Sequence, residues 1–240
     1  MIDGLLVALG FLTRLPVPAA VFARPQAQSR SLPWYPLVGL LVGALLAALA
    51  WLLRDSGQLL SAGLVVAAWS WLTGGLHLDG LADSADAWVG GMGDRARTLE
   101  IMKDPRSGPA GVTAVVLVLL VKFAALASLP APASLALLAA PMLARAALTG
   151  AFLVTPYVRP GGLGAGLAPA SKIACGAAVL LAVLATAMYV PRGGWVLLVT
   201  IAVFWLCRRA CMRRLGGMTG DTCGALAELM EVAVLVTLAV

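Results

Sequence analysis

Asp79, Asp83 and Asp86 are spaced i, i+4 and i+7, and the only histidine of the chain, His77, stands two residues ahead of them. On an α-helix this spacing puts all three carboxylates on one face. Three anions on one stripe repel each other and call for a counter-charge. Hard carboxylate oxygens suit Mg²⁺, which keeps several waters and shares its coordination with substrate phosphates. Zinc prefers His or Cys, and one histidine is too few. The cysteines (Cys175, Cys207, Cys211, Cys223) lack CxxC spacing and read as packing thiols. His77 has the chemistry to accept the proton of an alcohol or to bond a phosphate. The plain alternative is a solvated acidic helix end with a satisfied histidine. Gly74, Gly75 and Gly80 argue against it, because a helix accepts glycine only at a cost and these suggest close backbone approach.

Three further groups could serve the same chemistry. Lys103 and Arg106 bracket Asp104, and two fixed cations beside a metal site are what a pyrophosphate needs. Flanking charge at a membrane entry is the simpler reading of this group. The run Arg159–Gly166 carries Gly162 and Gly164, whose backbone N–H groups could reach phosphate oxygens, although it lacks the Lys-Ser/Thr of a P-loop and would also serve as a connector. Asp221, Glu228 and Glu231 fall at i, i+7 and i+10, roughly one helix face. A carboxylate at membrane depth costs roughly 2.5–3.5 kcal/mol on insertion scales, so it faces a cavity or a partner. Arg145 is the natural partner, whereas Lys122 lies nearer the opposite surface and reads as snorkelling there.

The elements that must hold these residues are membrane helices. Of 240 residues, 61% are hydrophobic and only 12% charged, against about 25% charged in a soluble domain. The N-terminus resembles a signal peptide only superficially, since it carries Asp3 where a basic region belongs, and it reads as retained. Residues 1–33 hold one apolar stretch too short to span, best read as an interfacial or re-entrant helix. Spans follow at Trp34–Leu53, Leu59–Leu76, Pro109–Leu129, Ala133–Val154, Ile173–Val190, Trp195–Cys207 and Ala225–Val240. This predicts an all-α, polytopic membrane bundle of about seven spans, forming a single catalytic domain over 1–240, with 77–108 as its cytoplasmic active-site segment. Thirteen of the seventeen basic residues then fall on the side that holds residues 1–33, and two on the other, which makes that side cytoplasmic. Six of the eleven acids lie between Asp79 and Asp104, on the same side. The net charge of +6 is therefore a topology signal and not a sign of nucleic-acid binding. No internal repeat is visible, which weakens a transporter reading.

Together these stretches resemble the cobalamin synthase family, the adenosylcobinamide-GDP ribazoletransferases. The resemblance covers nearly the whole chain. It rests on Phe11-Leu12-Thr13-Arg14-Leu15-Pro16-Val17-Pro18, on the segment Gly74–Asp86, on Ile101-Met102-Lys103-Asp104-Pro105-Arg106-Ser107-Gly108, and on Thr219-Gly220-Asp221-Thr222. The family usually has Thr where Ser84 stands, Gly where Ala87 stands, and Ser-Arg-Ile-Gly-Thr-Phe-Gly over 105–111. The resemblance implies a Mg²⁺-dependent membrane enzyme. In that reaction a hydroxyl of α-ribazole, or of its 5′-phosphate, attacks the cobinamide-linked phosphorus of adenosylcobinamide-GDP, and GMP leaves. It implies His77, Asp79, Asp83, Lys103, Asp104 and Arg106 as catalytic residues, and Asp79, Asp83, Asp86 and Asp221 as metal ligands. Arg14, Arg145, Gly162, Gly164, Asp221 and Glu228 would contact substrate. The expected partners are the two small substrates and inner-membrane lipid, with a homo-oligomer compatible and no nucleic acid. The rival chemistry is a CDP-alcohol phosphotransferase, in whose pattern an Arg would replace Ser84. The rival class is a cation transporter, against which the acids cluster on one side.

Overall fold

Apolar runs punctuated by Gly, Pro and Ser become ten α-helices among residues 2–24, 26–162, 164–167 and 169–240, which the computed structural model describes. They are α1 (Ile2–Leu12), α2 (Tyr35–Leu52), α3 (Gln58–Leu72), α4 (Leu76–Gly90), α5 (Arg95–Ile101), α6 (Pro109–Ser128), α7 (Ser134–Val154), α8 (Lys172–Tyr189), α9 (Gly193–Leu215) and α10 (Gly220–Ala239). Six are long and apolar enough to cross a membrane, and the bent pair α3–α4 raises this to seven. The eleven-residue α1 is too short, as its sequence indicates.

The helices sort by burial. α7 is the inner post, with 72% of its span buried, whereas α8 and α9 are only 17% buried. Outward leucines such as Leu180, Leu181, Leu198 and Leu206 cover α8 and α9, as a lipid-facing surface requires. α7 packs most extensively on α2, and both also touch α10 or its neighbours through two apolar clusters.

The second expected span is the main departure. The helix ends at Leu72 and not Leu76, because Gly74 (φ 64°) and Gly75 (φ 69°) adopt left-handed backbone, a conformation open to glycine at little cost. At about 1.5 Å per residue α3 is about 22 Å long, short of the roughly 30 Å hydrocarbon layer. The chain then turns by 87° into α4. The acidic segment is a helix, as the spacing of its aspartates indicates, and packs against α10 and α6.

Four ties hold α4 in place. Gly80 crosses Gly224 of α10, with backbone against backbone. Asp86 accepts hydrogen bonds from the N–H groups of Gly108 (2.6 Å) and Gly111 (2.9 Å), capping the start of α6. Arg214 of α9 donates to the Trp88 carbonyl at 2.7 Å. The Arg14 side chain lies over Gly74. A Cβ at Gly80 would stand 2.7 Å from the Asp221 carbonyl oxygen and 3.0 Å from its Cα. Neither backbone atom can rotate away. Gly80→Ala is therefore expected to destabilise the protein by about 1–3 kcal/mol, read as a lowered midpoint of thermal unfolding in detergent.

Candidate active site

α4 and α10 bring their acids together because the Gly80–Gly224 crossing lets their backbones touch. Thr219 caps α10 and forms a reciprocal capping box with Thr222, which fixes Asp221 in the first turn. A short parallel bridge joins Tyr157 to Met218: Val158 N donates to Met218 O at 2.9 Å, and Met218 N to Pro156 O at 2.8 Å. This bridge delivers Arg159, whose Nη1 meets Asp221 Oδ2 at 2.7 Å.

Three hollows meet at Asp79. An open cleft of about 540 Å³ is lined by Asp79, Asp83, Lys103, Asp104, Arg159 and Asp221, among others. A second cleft of about 580 Å³ holds Arg14, Thr73, Gly74, Asp79 and Ser107. A narrow recess of about 140 Å³ runs inward past Asp79 and Asp221 to His77 and apolar side chains. Asp83 feels the like charges of Asp79, Asp221 and Asp86 and the opposing charge of Arg159. Among the described residues, no three His, Cys, Asp or Glu side chains converge closely enough to hold a metal ion by themselves. Asp79, Asp83 and Asp221 share a cleft as a partial set. That suits a cation which takes one or two carboxylates plus phosphate and water, and not one needing a closed protein cage.

The expected residues divide into two groups. Asp79, Asp83, Lys103, Asp104, Gly162 and Asp221 line the open cleft, Arg14 the second cleft, and His77 and Gly164 the recess. Arg106 turns its guanidinium onto Asp104 (Nε to Oδ1 3.0 Å, Nη2 to Oδ2 2.9 Å). Its side chain and backbone N–H hold the Asp104 carboxyl down to about 2, so Asp104 is a poor proton acceptor at neutral pH. Arg145 and Glu228 reach none of these hollows and lie buried in the bundle.

Beneath the site sits a four-charge cluster. Lys122 of α6 pairs with Glu228 (2.6 Å) and Glu231 of α10, and Arg145 of α7 pairs with Glu231. All four side chains are at most 4% exposed. The Arg145–Glu231 pair follows the expectation; Lys122 does not. It does not snorkel to the opposite surface but is buried, because α6 turns that face toward two carboxylates. Arg145 Nη2 also lies 3.2 Å from His77 Nδ1. Arginine has no acceptor, so Nδ1 is the unprotonated nitrogen and Nε2 carries the hydrogen. His77 is thereby set up as a donor, the state that bonding a phosphate, one of its two expected roles, requires.

The family model described as cobalamin-5-phosphate synthase (CobS) matches residues 4–239. The chain belongs to this family. It is 53% identical over 244 residues to the adenosylcobinamide-GDP ribazoletransferase of Pseudomonas savastanoi pv. phaseolicola, covering 97% of each chain. It is 55% identical over 241 residues to the enzyme of that name from Stutzerimonas stutzeri, covering 98% of this chain and 97% of that one. The Pseudomonas fluorescens protein of the same name is 56% identical over 237 residues. No solved structure matches.

In this CobS-family chain, sequence reasoning passed over several residues of the site. Arg159 opens the run whose Gly162 and Gly164 the sequence marks for phosphate contact. Its position directly before Pro160-Gly161-Gly162 is the available signal. Phe11 belongs to a motif of the resemblance but carries no role there, and Tyr157, Tyr35 and Phe152 give no signal, because aromatic residues in apolar surroundings carry no contrast.

Proposed function

We propose that this chain joins adenosylcobinamide-GDP to α-ribazole or its 5′-phosphate, releasing GMP, with Mg²⁺ bound, at the cytoplasmic face of the inner membrane. The observation that carries the reading is Asp79 at the junction of three hollows. A reaction between two substrates needs separate compartments that converge on one reacting centre. In the reaction the acceptor oxygen forms a bond to the cobinamide-side phosphorus, the bond to the GMP oxygen breaks, and the hydroxyl proton passes to a carboxylate.

Phosphoryl transfer is mostly positioning and charge neutralisation. Lys103 and Arg159, on the walls of the open cleft, bind the diphosphate oxygens and the departing GMP. Arg14 lines the second cleft together with Asp79 and holds the remaining phosphate charge there. Asp79 and Asp83 would hold Mg²⁺, with Asp221 as a further ligand, and Asp86 is left to cap α6. When bound, the ion neutralises charge on the phosphoryl oxygens. Asp79, which borders both the recess and the open cleft, accepts the proton. The cytoplasmic orientation is supported by the thirteen-to-two bias of basic residues, with Arg14, Lys103 and Arg159 on the rich side.

The test is reconstitution. Protein in liposomes is mixed with adenosylcobinamide-GDP, Mg²⁺ and either α-ribazole or its 5′-phosphate, and GMP and cobamide are followed by chromatography. The expected result is one GMP per cobamide, lost on chelation with EDTA and restored by Mg²⁺. GMP without cobamide would make the protein a hydrolase, and turnover undiminished in EDTA would remove the metal.

A further inference from the structure

The narrow recess differs in kind from the two clefts beside it. Its walls are Phe11, Tyr35 and Phe152 with Leu12, Leu148 and Leu167. Among the described residues no lysine or arginine lines it, whereas Lys103 and Arg159 line the open cleft and Arg14 the second. It shares Asp79, Gly220 and Asp221 with the open cleft, and these mark its mouth. Two stacked aromatic pairs frame it. Phe11 and Tyr35 lie 6.3 Å apart at 21°, and Phe152 and Tyr157 lie 5.9 Å apart at 18°. Phe152 faces the recess, while Tyr157 lines the open cleft.

From this geometry we infer that the recess is the subsite for the aromatic base of the acceptor, and that it selects a benzimidazole-type ring over a purine. The inference rests on the reaction proposed above. Size and polarity both support it. Its volume of about 140 Å³ is close to that of an apolar cavity, roughly 150 Å³, that accepts a benzene ring. The carbocyclic end of a fused bicycle fits, with the ribose left at the mouth beside Asp79. A phosphate is excluded, since no cation accompanies it inward. Flat rings stack on Phe11, Tyr35 and Phe152 at the separations these aromatics already use among themselves. A purine would bring several ring nitrogens and an amino group inward, where His77 offers a single donor among Leu148, Leu167 and the aromatic walls, so most of these polar atoms lose their water without a partner. The two substrates are thereby sorted by chemistry: diphosphate to the cationic cleft, ring to the recess, reacting hydroxyl between them.

The experiment compares the wild-type protein with Phe152→Ala, which removes a stacking wall, and Leu148→Phe, which narrows the recess, all in liposomes. Both variants are expected to raise KM for α-ribazole about tenfold and to move KM for adenosylcobinamide-GDP less than twofold. Adenine riboside is expected to react with kcat/KM at least about tenfold below that of benzimidazole riboside. Free benzimidazole should compete with α-ribazole and not with adenosylcobinamide-GDP. Equal rises in both KM values, or competition of benzimidazole with the donor alone, would overturn the assignment. So would equal use of the two ribosides. Should Leu148→Phe not fold, Phe152→Ala and the inhibition pattern decide alone. If wild-type protein releases no GMP, the reaction reading fails by itself. Equilibrium dialysis of benzimidazole against wild-type and Phe152→Ala protein then still decides the recess, since binding lost in the variant supports it and equal binding refutes it.

Discussion

Asp79→Asn is expected to lower GMP release by about a thousandfold or more without loosening the fold. The side chain keeps its shape but loses the charge on which three hollows converge. On the proposed roles, a metal ligand and a proton acceptor disappear together, and no neighbour takes over both tasks. Asp83 lines only the open cleft, and Asp221 is engaged by Arg159. Stability should move the other way. Asp83 is exposed to the repulsion of Asp79, so the amide relieves like-charge strain, and the melting temperature stays level or rises. A site that gives up stability to hold its charges together behaves in this way. Turnover within a few-fold of wild type at limiting Mg²⁺ would overturn the placing of the reaction at Asp79.

The second large effect concerns stability. Glu231→Ala leaves Lys122 and Arg145 buried with one carboxylate, Glu228, between them. Breaking a buried pair by removing one partner costs about 3–5 kcal/mol, because the remaining charge is uncompensated. The expected readout in detergent is early unfolding and a broadened gel-filtration peak. The double change Arg145→Met with Glu231→Leu removes one charge of each sign and leaves Lys122–Glu228 intact. It should recover most of the loss, as hydrophobic replacement of a whole buried pair is often neutral. A double variant no more stable than Glu231→Ala would show that the cluster acts through shape and not charge. Activity of the double variant should still fall, since His77 loses the guanidinium that fixes its tautomer.

These residues also show what can be read from a sequence of this kind. Spans and their parity are legible because hydropathy and basic loops report directly on membrane insertion. The shared face of Asp79 and Asp83 follows from helix periodicity alone. The Arg145–Glu231 pair was foreseeable, since each charge by itself is too costly at that depth. The burial of Lys122 is not legible, because depth along a span says nothing about which way the face points. The 87° turn after α3 was half visible: the glycine pair marks a break, but the angle comes from packing α4 on α10. The arrival of Asp221 beside Asp79 depends on Gly80 meeting Gly224, two small residues whose partnership no spacing rule encodes. The recess is built by Phe11, Tyr35 and Phe152 from α1, α2 and α7, where apolar residues stand among apolar neighbours and nothing distinguishes a wall from a filler.

The four-charge cluster also has a consequence for biosynthesis. α6 enters the membrane with Lys122 and α7 with Arg145, while both counter-charges belong to α10, which is translated later. Each stranded cation carries an insertion penalty of roughly 2.5–3.5 kcal/mol until α10 docks. Until α10 docks, Lys122 and Arg145 lack the carboxylates that pair with them in the folded chain. The arrival of Glu228 and Glu231 then closes the core and presents Asp221 to Asp79 at once.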